Sequence, residues 1–448
     1  MDINPYYIVM GIAVLVVFSY IFDWVAKRTN FPSILLLLGV GIILRPILSG
    51  NGIELPEKDL NNYLNVFGII GLIMIVLEGS LDLEISRKKM KLVGSSFLSS
   101  LVILLATAFL IAGIIYGITK ESFLICLVNA IPFSVVSSAI TIPSVVNLSR
   151  HKKEFLTYES TFSDILGIMF FNFVVVNEVI NVQAFTGFFG ELIILLLISV
   201  VSTVALMYFM TAIKAHHKFF MIFAILMIIF SIGKMAHLST LVLIMFFGIV
   251  LNNYRILDKF TPGKLRKIFD FPTLDVELKF LKSVTAEVAF LIRTIFFVIF
   301  GYSFDFALLA DGNVWLIGTL IIIAMLGIRY LYLKFTVKSS IFPEIFIAPR
   351  GLITILLFFS IPAGKMIFGL GQGLLFYVII LSNILMMIGL MVSKHKDNGL
   401  SISAIEDARN ENVNDDIIND INKSIEEEDT GKENSDEDSE EDDLGGHS

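Results

Sequence analysis

The sequence predicts an all-α polytopic membrane protein of about thirteen transmembrane helices, two of them discontinuous. Three observations carry this. Of the 448 residues 56% are hydrophobic and the mean hydropathy is +0.83, well above the apolar share of a soluble domain. Apolar runs that can cross a ~30 Å hydrocarbon core recur along residues 1–393. Lys and Arg gather in every second connection between those runs, as the positive-inside rule requires of correctly placed spans.

The first run, 6–22, follows Asp2 with no basic segment ahead of it, so it reads as a span and not as a cleaved leader. Runs at 31–48, 64–78 and 92–116 follow, and the fifth, 122–147, holds Pro132 and Pro143. Each proline removes a backbone donor and disfavours helix just before it, so this span should break in mid-membrane. Ser134, Ser137, Ser138 and Thr141 sit at i, i+3, i+4 and i+7 along it. A hydroxyl stripe beside freed carbonyls can meet a cation; the alternative is helix-packing glue. Further runs lie at 158–177, 187–213, 219–233 and 238–251, then a charged connector, 252–283, which is the longest internal loop. The chain closes with 284–304, 313–333, 339–362 and 370–393. The twelfth run is interrupted by Ala348-Pro349-Arg350-Gly351, with Pro362 and Gly364 beyond. Two broken spans in separated halves are the sequence sign of an inverted-repeat transporter.

One set of connections, with the C-terminal flank, holds 22 Lys/Arg and the opposite set holds 5, which puts the N-terminus outside and the C-terminus in the cytoplasm. Residues 1–393 therefore form the membrane domain and 394–448 a cytoplasmic tail. Within the tail, residues 401–448 carry 18 acids against 3 bases, whereas the rest of the chain is at +7. Such an acidic segment, poor in large apolar residues, is expected to stay disordered, either as a plain solvated tail or as a regulatory one. With one cysteine and six scattered histidines there is no disulfide framework and no ligand spacing for a metal cofactor. Neither a cofactor nor a nucleic-acid partner is expected, only the surrounding lipids and the transported ions.

A charge at a helix centre costs at least ~2.5–3.5 kcal/mol, so an ionisable group there is a functional hypothesis. The candidates are Glu159 and Asp164 in the sixth span, Glu287 and Arg293 in the tenth, Arg329 in the eleventh and Arg350 in the twelfth. Glu78 and Asp305 fall at span ends, where water is expected to reach them. Ser160 and Asp164, four apart, share a helix face and can point at one cation, whereas Glu159 is turned about 140° from Asp164. Arg350 needs an anion, and Glu159 is the best on offer. Glu287 and Arg293 are a weaker candidate pair, with Arg293 facing the ion cavity as the other option.

The string Glu159-Ser160-x-x-Ser163-Asp164 resembles the E-S-x-x-N-D motif of sodium/proton exchangers of the NhaP and eukaryotic type, within the monovalent cation/proton antiporter superfamily. Thr141-Ile142-Pro143 stands where that family has T-D-P, and Arg350-Gly351 where it has the arginine of an R-G segment. The resemblance covers residues from about 6 to 393. It implies an NhaA-like antiporter fold with two crossing broken helices, a homodimer, Asp164 as the carboxylate shared by proton and cation, and Ser160, Thr141 and Ser163 beside it. It also implies a structural pair of Glu159 with Arg350. Two positions depart from the family pattern: Ser163 replaces an Asn, and Ile142 replaces an Asp and offers only a carbonyl.

The expected activity is secondary exchange of Na⁺, or K⁺ or Li⁺, for H⁺ across the cell membrane by alternating access, and no enzymatic reaction. With Asp164 the one titrating carboxylate, the exchange should be electroneutral, one proton per cation. The alternatives are a K⁺-selective antiporter and a cation channel, although no T-V-G-Y-G filter is present. An intramembrane aspartyl protease would need a second deep Asp.

Overall fold

The computed structural model describes residues 5–29, 31–50, 57–83, 89–177, 179, 181–212, 218–235, 240–255, 271–336, 341–367 and 371–410. Most of the acidic tail and the middle of the 252–283 connector lie outside these residues. Among the described residues there is no strand. In chain order the helices are α1 (Pro5–Thr29), α2 (Ser33–Gly50), α3 (Glu57–Leu81), α4 (Met90–Thr119), α5 (Phe123–Ser134), α6 (Ser138–Ser144), α7 (Arg150–Val176), α8 (Val182–Ala212), α9 (Lys218–Met235), α10 (Thr240–Asn252), α11 (Phe271–Ser303), α12 (Gly312–Thr336), α13 (Leu352–Phe359) and α14 (Gln372–Asn410). Each predicted run coincides at least in part with a helix, the fifth with α5 and α6 together and the twelfth only with the short α13. Among the described residues, eight spans are long and apolar enough to cross a membrane by length and composition. The chain divides into two compact units, Met1–Gly389 and Leu390–Ser448.

Several boundaries differ from the sequence reading, for one reason: apolar runs mark the part of a helix that can sit in lipid, not its whole length. α7 starts at Arg150, a full two turns before its apolar run, and α11 at Phe271, so the second half of the predicted connector is helix. Likewise α14 runs on to Asn410, into the predicted tail. The twelfth span departs further. Its first half is turns and extended chain from Ile341 to Gly351, and only Leu352–Phe359 is helical. In a membrane such backbone is tolerated only inside protein, where side chains can satisfy it.

Within the first unit two bundles can be distinguished. In one, α11 packs against α2 and α3, and α10 against α3 and α8; in the other, α4 packs against α5, α7 and α12, and α7 against α5 and α6. Contacts between the bundles are sparser, chiefly α7 with α3 and α10, α6 with α1, and α13 with α3. Glycine lets α2 and α11 approach closely: a Cβ on Gly41 would lie 2.2 Å from the Val298 carbonyl oxygen, and one on Gly301 2.4 Å from that of Leu38. Hence α2 and α11 touch backbone to backbone, the close approach that small residues allow between membrane helices.

Candidate ion-binding site

α5 ends at Ser134, Val135 and Ser137 are extended, and α6 starts at Ser138. The break falls between the two prolines, both of which lie inside helical turns. A break in mid-bundle strands carbonyls at the end of α5 and amides at the start of α6. Each set finds a partner of the appropriate charge. Arg350 donates from Nε to the Phe133 carbonyl at 2.6 Å and from Nη2 to that of Ser134 at 3.4 Å, with Nη1 on its own segment at Ala348 O, 3.0 Å. At the other side of the gap, Asp164 Oδ2 accepts from the Ser138 amide at 3.1 Å and from the Ser138 hydroxyl. The cation lies at the negative end of one half-helix and the carboxylate at the positive end of the next, the orientation that helix dipoles favour.

The extended residues are tied on both sides. Ser137 N donates to Pro349 O at 3.0 Å, so the two interrupted spans meet at their gaps. Val136 N donates to Ser163 Oγ at 2.9 Å, which makes Ser163 a brace for the unwound chain. Ser160 Oγ donates to Thr157 O at 3.2 Å, and it is Ser138 that touches Asp164. The four hydroxyls of the predicted stripe do not act as one face, because the helix that would align them is absent at Val135–Ser137.

Asp164 is only 5% exposed. Its Oδ1, the hydroxyls of Ser137 and Thr141, and Thr354 Oγ1 on α13 are buried without a hydrogen-bond partner among the described residues. Buried oxygens in that state are costly unless something donates to them or coordinates them. Ile142 is half-buried on α6 and adds no ionisable group. Ala139, Ile140, Pro143 and Ser144, on another side of α6, line a cavity of about 110 Å³ together with Asp23 of α1. α6 is thus the wall between that cavity and Asp164.

The expected pair of Glu159 with Arg350 is absent, because Arg350 is taken up by the carbonyls of the α5 end. Glu159 is held by Arg329 of α12, Nη2 to Oε2 at 2.7 Å and Nη1 to Oε1 at 3.2 Å, with Ser99 Oγ adding a bond to Oε1 at 2.6 Å. Arg329 Nε also donates to Glu344 O at 2.7 Å, so the pair ties α7 to the segment leading into the second break. Glu287 and Arg293 do not pair either. Glu287 is exposed and accepts from Tyr20 Oη at 2.7 Å. Arg293 bonds Glu78 of α3 at 3.2 Å and the Ala139 carbonyl of α6 at 3.0 Å, bridging the two bundles beside the site. Glu78, placed by sequence at a water-exposed span end, is therefore part of the site's surroundings.

Residues 13–394 match the family described as sodium/hydrogen exchanger, transmembrane. The chain belongs to that family. Its members are membrane-integral cation/proton antiporters, and antiport is a transport activity, not an enzymatic class. Among solved structures, the exchanger resembles the sodium proton antiporter MjNhaP1 of Methanocaldococcus jannaschii at pH 8, with 18% identity, a TM-score of 0.63, and coverage of 86% of this chain and 97% of that one. A structure of MjNhaP1 from an electron-microscopy map gives 18% identity, a TM-score of 0.60, and 87% and 96% coverage. At that identity the likeness shows a shared antiporter fold. No curated protein matches the chain.

Sequence reasoning about the exchanger singled out Arg329 without a partner and left Glu78 aside, because pairing across helices leaves no periodic trace in one sequence. Glu191 of α8 has no motif around it. It stands inside the seventh predicted run and only its intramembrane position could have flagged it.

Proposed function

We propose that the exchanger carries Na⁺, or K⁺ or Li⁺, against H⁺ by alternating access, with Asp164 as the carboxylate for which the two ions compete. The observation that carries this reading is the state of that carboxylate. It is buried, one oxygen is fixed by Ser138, and the other has no partner among the described residues, as is also true of the nearby Ser137 and Thr141 hydroxyls. A bare anion in such a place is disfavoured, and either a proton or a small cation held by those oxygens neutralises it. A loaded, neutral site can move between the two sides, and an empty one is held back by its charge. Ser160 keeps its lone pairs for the same ion, and Arg293 and Arg350, both held by other partners, keep positive charge from closing on Asp164.

The thin contact between the bundles and the cavity behind α6 support a rocking movement in which one wall opens as the other closes. The N-terminus lies outside and the C-terminus in the cytoplasm of the cell membrane, on the distribution of bases, and a homodimer is the expected assembly. The test is cation-induced proton efflux from acid-loaded proteoliposomes, scanned over Na⁺, K⁺, Li⁺ and Ca²⁺. Saturable efflux with monovalent cations supports the exchanger. Proton movement that only follows the membrane potential, without saturation in cation, would make the protein a channel.

A further inference from the structure

Glu191 is the ninth residue after the start of α8, well inside the apolar stretch Val182–Tyr208. A carboxylate at that depth is expected to face a polar cavity and to mark an ion route. It does line one. A cavity of about 210 Å³ lies between the C-terminal end of α7 and the first turns of α8, and Asn172, Asn177, Gln183 and Glu191 all contribute to its wall. Gly187, with open space where a Cβ would stand, keeps the cavity from filling. Phe173 packs against Phe185 and Phe188, at 5.1 and 5.0 Å between ring centroids, and sets the spacing of the two helices beside it.

We propose that this cavity is a second cation subsite, a waiting position for the transported monovalent ion at the external end of the route. One carboxylate and three side-chain amides line it, and oxygen donors of this kind suit hard cations. Asn177 Nδ2 is committed to the Phe173 carbonyl at 2.8 Å, which leaves its Oδ1 as an acceptor. Asn172 is eight residues beyond Asp164 on the same helix, about 12 Å along the axis at 1.5 Å per residue. The position is near enough to feed the central site and too far to share its ion. Lys365 donates to Val175 O at 2.8 Å.

The assignment of the cavity to the transport route rests on the antiport reading above, and its test separates the two. Tl⁺ soaked into crystals of the full-length protein should give density in the cavity of the wild type and of Asp164→Asn, and none in Glu191→Gln. In right-side-out membrane vesicles, Glu191→Gln should raise the KM for external Na⁺ about fivefold, with the KM for cytoplasmic Na⁺ and the maximum rate unchanged. An empty cavity in the Tl⁺-soaked wild type, or a KM that changes equally at both faces, overturns the subsite. Exchange that persists in Asp164→Asn overturns the antiport site instead, and the Tl⁺ density still decides the cavity. If Glu191→Gln does not fold, Asn172→Ala and Gln183→Ala carry the same measurements, with weakened Tl⁺ density expected.

Discussion

Asp164, Glu159 and Arg350 lie around the two broken spans, yet their bonding differs, and substitutions should separate their roles. Asp164→Asn keeps the shape and the bond from the Ser138 amide but can neither release a proton nor neutralise a cation, so exchange should fall to the liposome background while the protein still purifies as folded. Ser138→Ala removes one hydroxyl from the carboxylate, and a charge-assisted bond of about 1.5 kcal/mol corresponds to roughly tenfold weaker cation binding. Isothermal titration with Na⁺ checks it. Glu159→Gln and Arg329→Met each strand a buried charge, which costs about 3–5 kcal/mol, so the double variant should lose much less than the sum. In the corresponding cycle for Glu159 and Arg350 the losses should add, because those residues share no bond. Thermal unfolding of the six proteins decides between the two pairings.

At the scale of elements, α2 and α11 meet backbone on backbone. Gly301→Val has nowhere to put its side chain, since Leu38 O, C and Cα would lie within about 3.1 Å of the new Cβ. The helices must separate, and overpacking of this kind costs about 1–3 kcal/mol or more. Gly113→Val on α4, where nothing lies within 4 Å, serves as the control and should leave the melting temperature nearly unchanged. The broken spans show how far an element can be read from its residues. Pro132, Pro143, Pro349 and Gly351 announced two interruptions, because proline's lost donor is a local property. That the first break falls at Val135–Ser137 and the second leaves an unwound half-span from Ile341 to Gly351 was not legible, since it depends on Ser163, Arg350 and Pro349 supplying bonds from other parts of the chain.

For the whole molecule the question is how much charge crosses in one cycle. Glu78 is bonded to Arg293, and Glu287 is exposed on the outer face of α11 beside Tyr20. Neither stands as a free second carboxylate at the site, and Ser163 and Ile142 add no ionisable group there. One proton should therefore move per monovalent cation. With the liposome potential clamped by K⁺ and valinomycin, the reversal point of Na⁺-driven proton flux should not shift with voltage. A shift would mean a second titrating group, and Glu78, because it shares Arg293 with the site, would be the residue to replace first.

The sequence by itself determined the membrane class, the thirteen apolar runs, the two interruptions and the alternation of bases, and it singled out Asp164 as a charge inside a span. These follow from local quantities: hydropathy over a helix length, the backbone chemistry of proline, and the cost of a lone charge in lipid. Only the tertiary structure decided that Glu159 belongs to Arg329, that Arg350 closes the carbonyl end of α5, that Ser138 binds Asp164, and that Arg293 and Glu78 stand beside the site. Those partners are 170 or more residues apart in most cases. A buried charge dictates that it must have a partner, but which one it receives depends on which helix faces bring it within 3 Å.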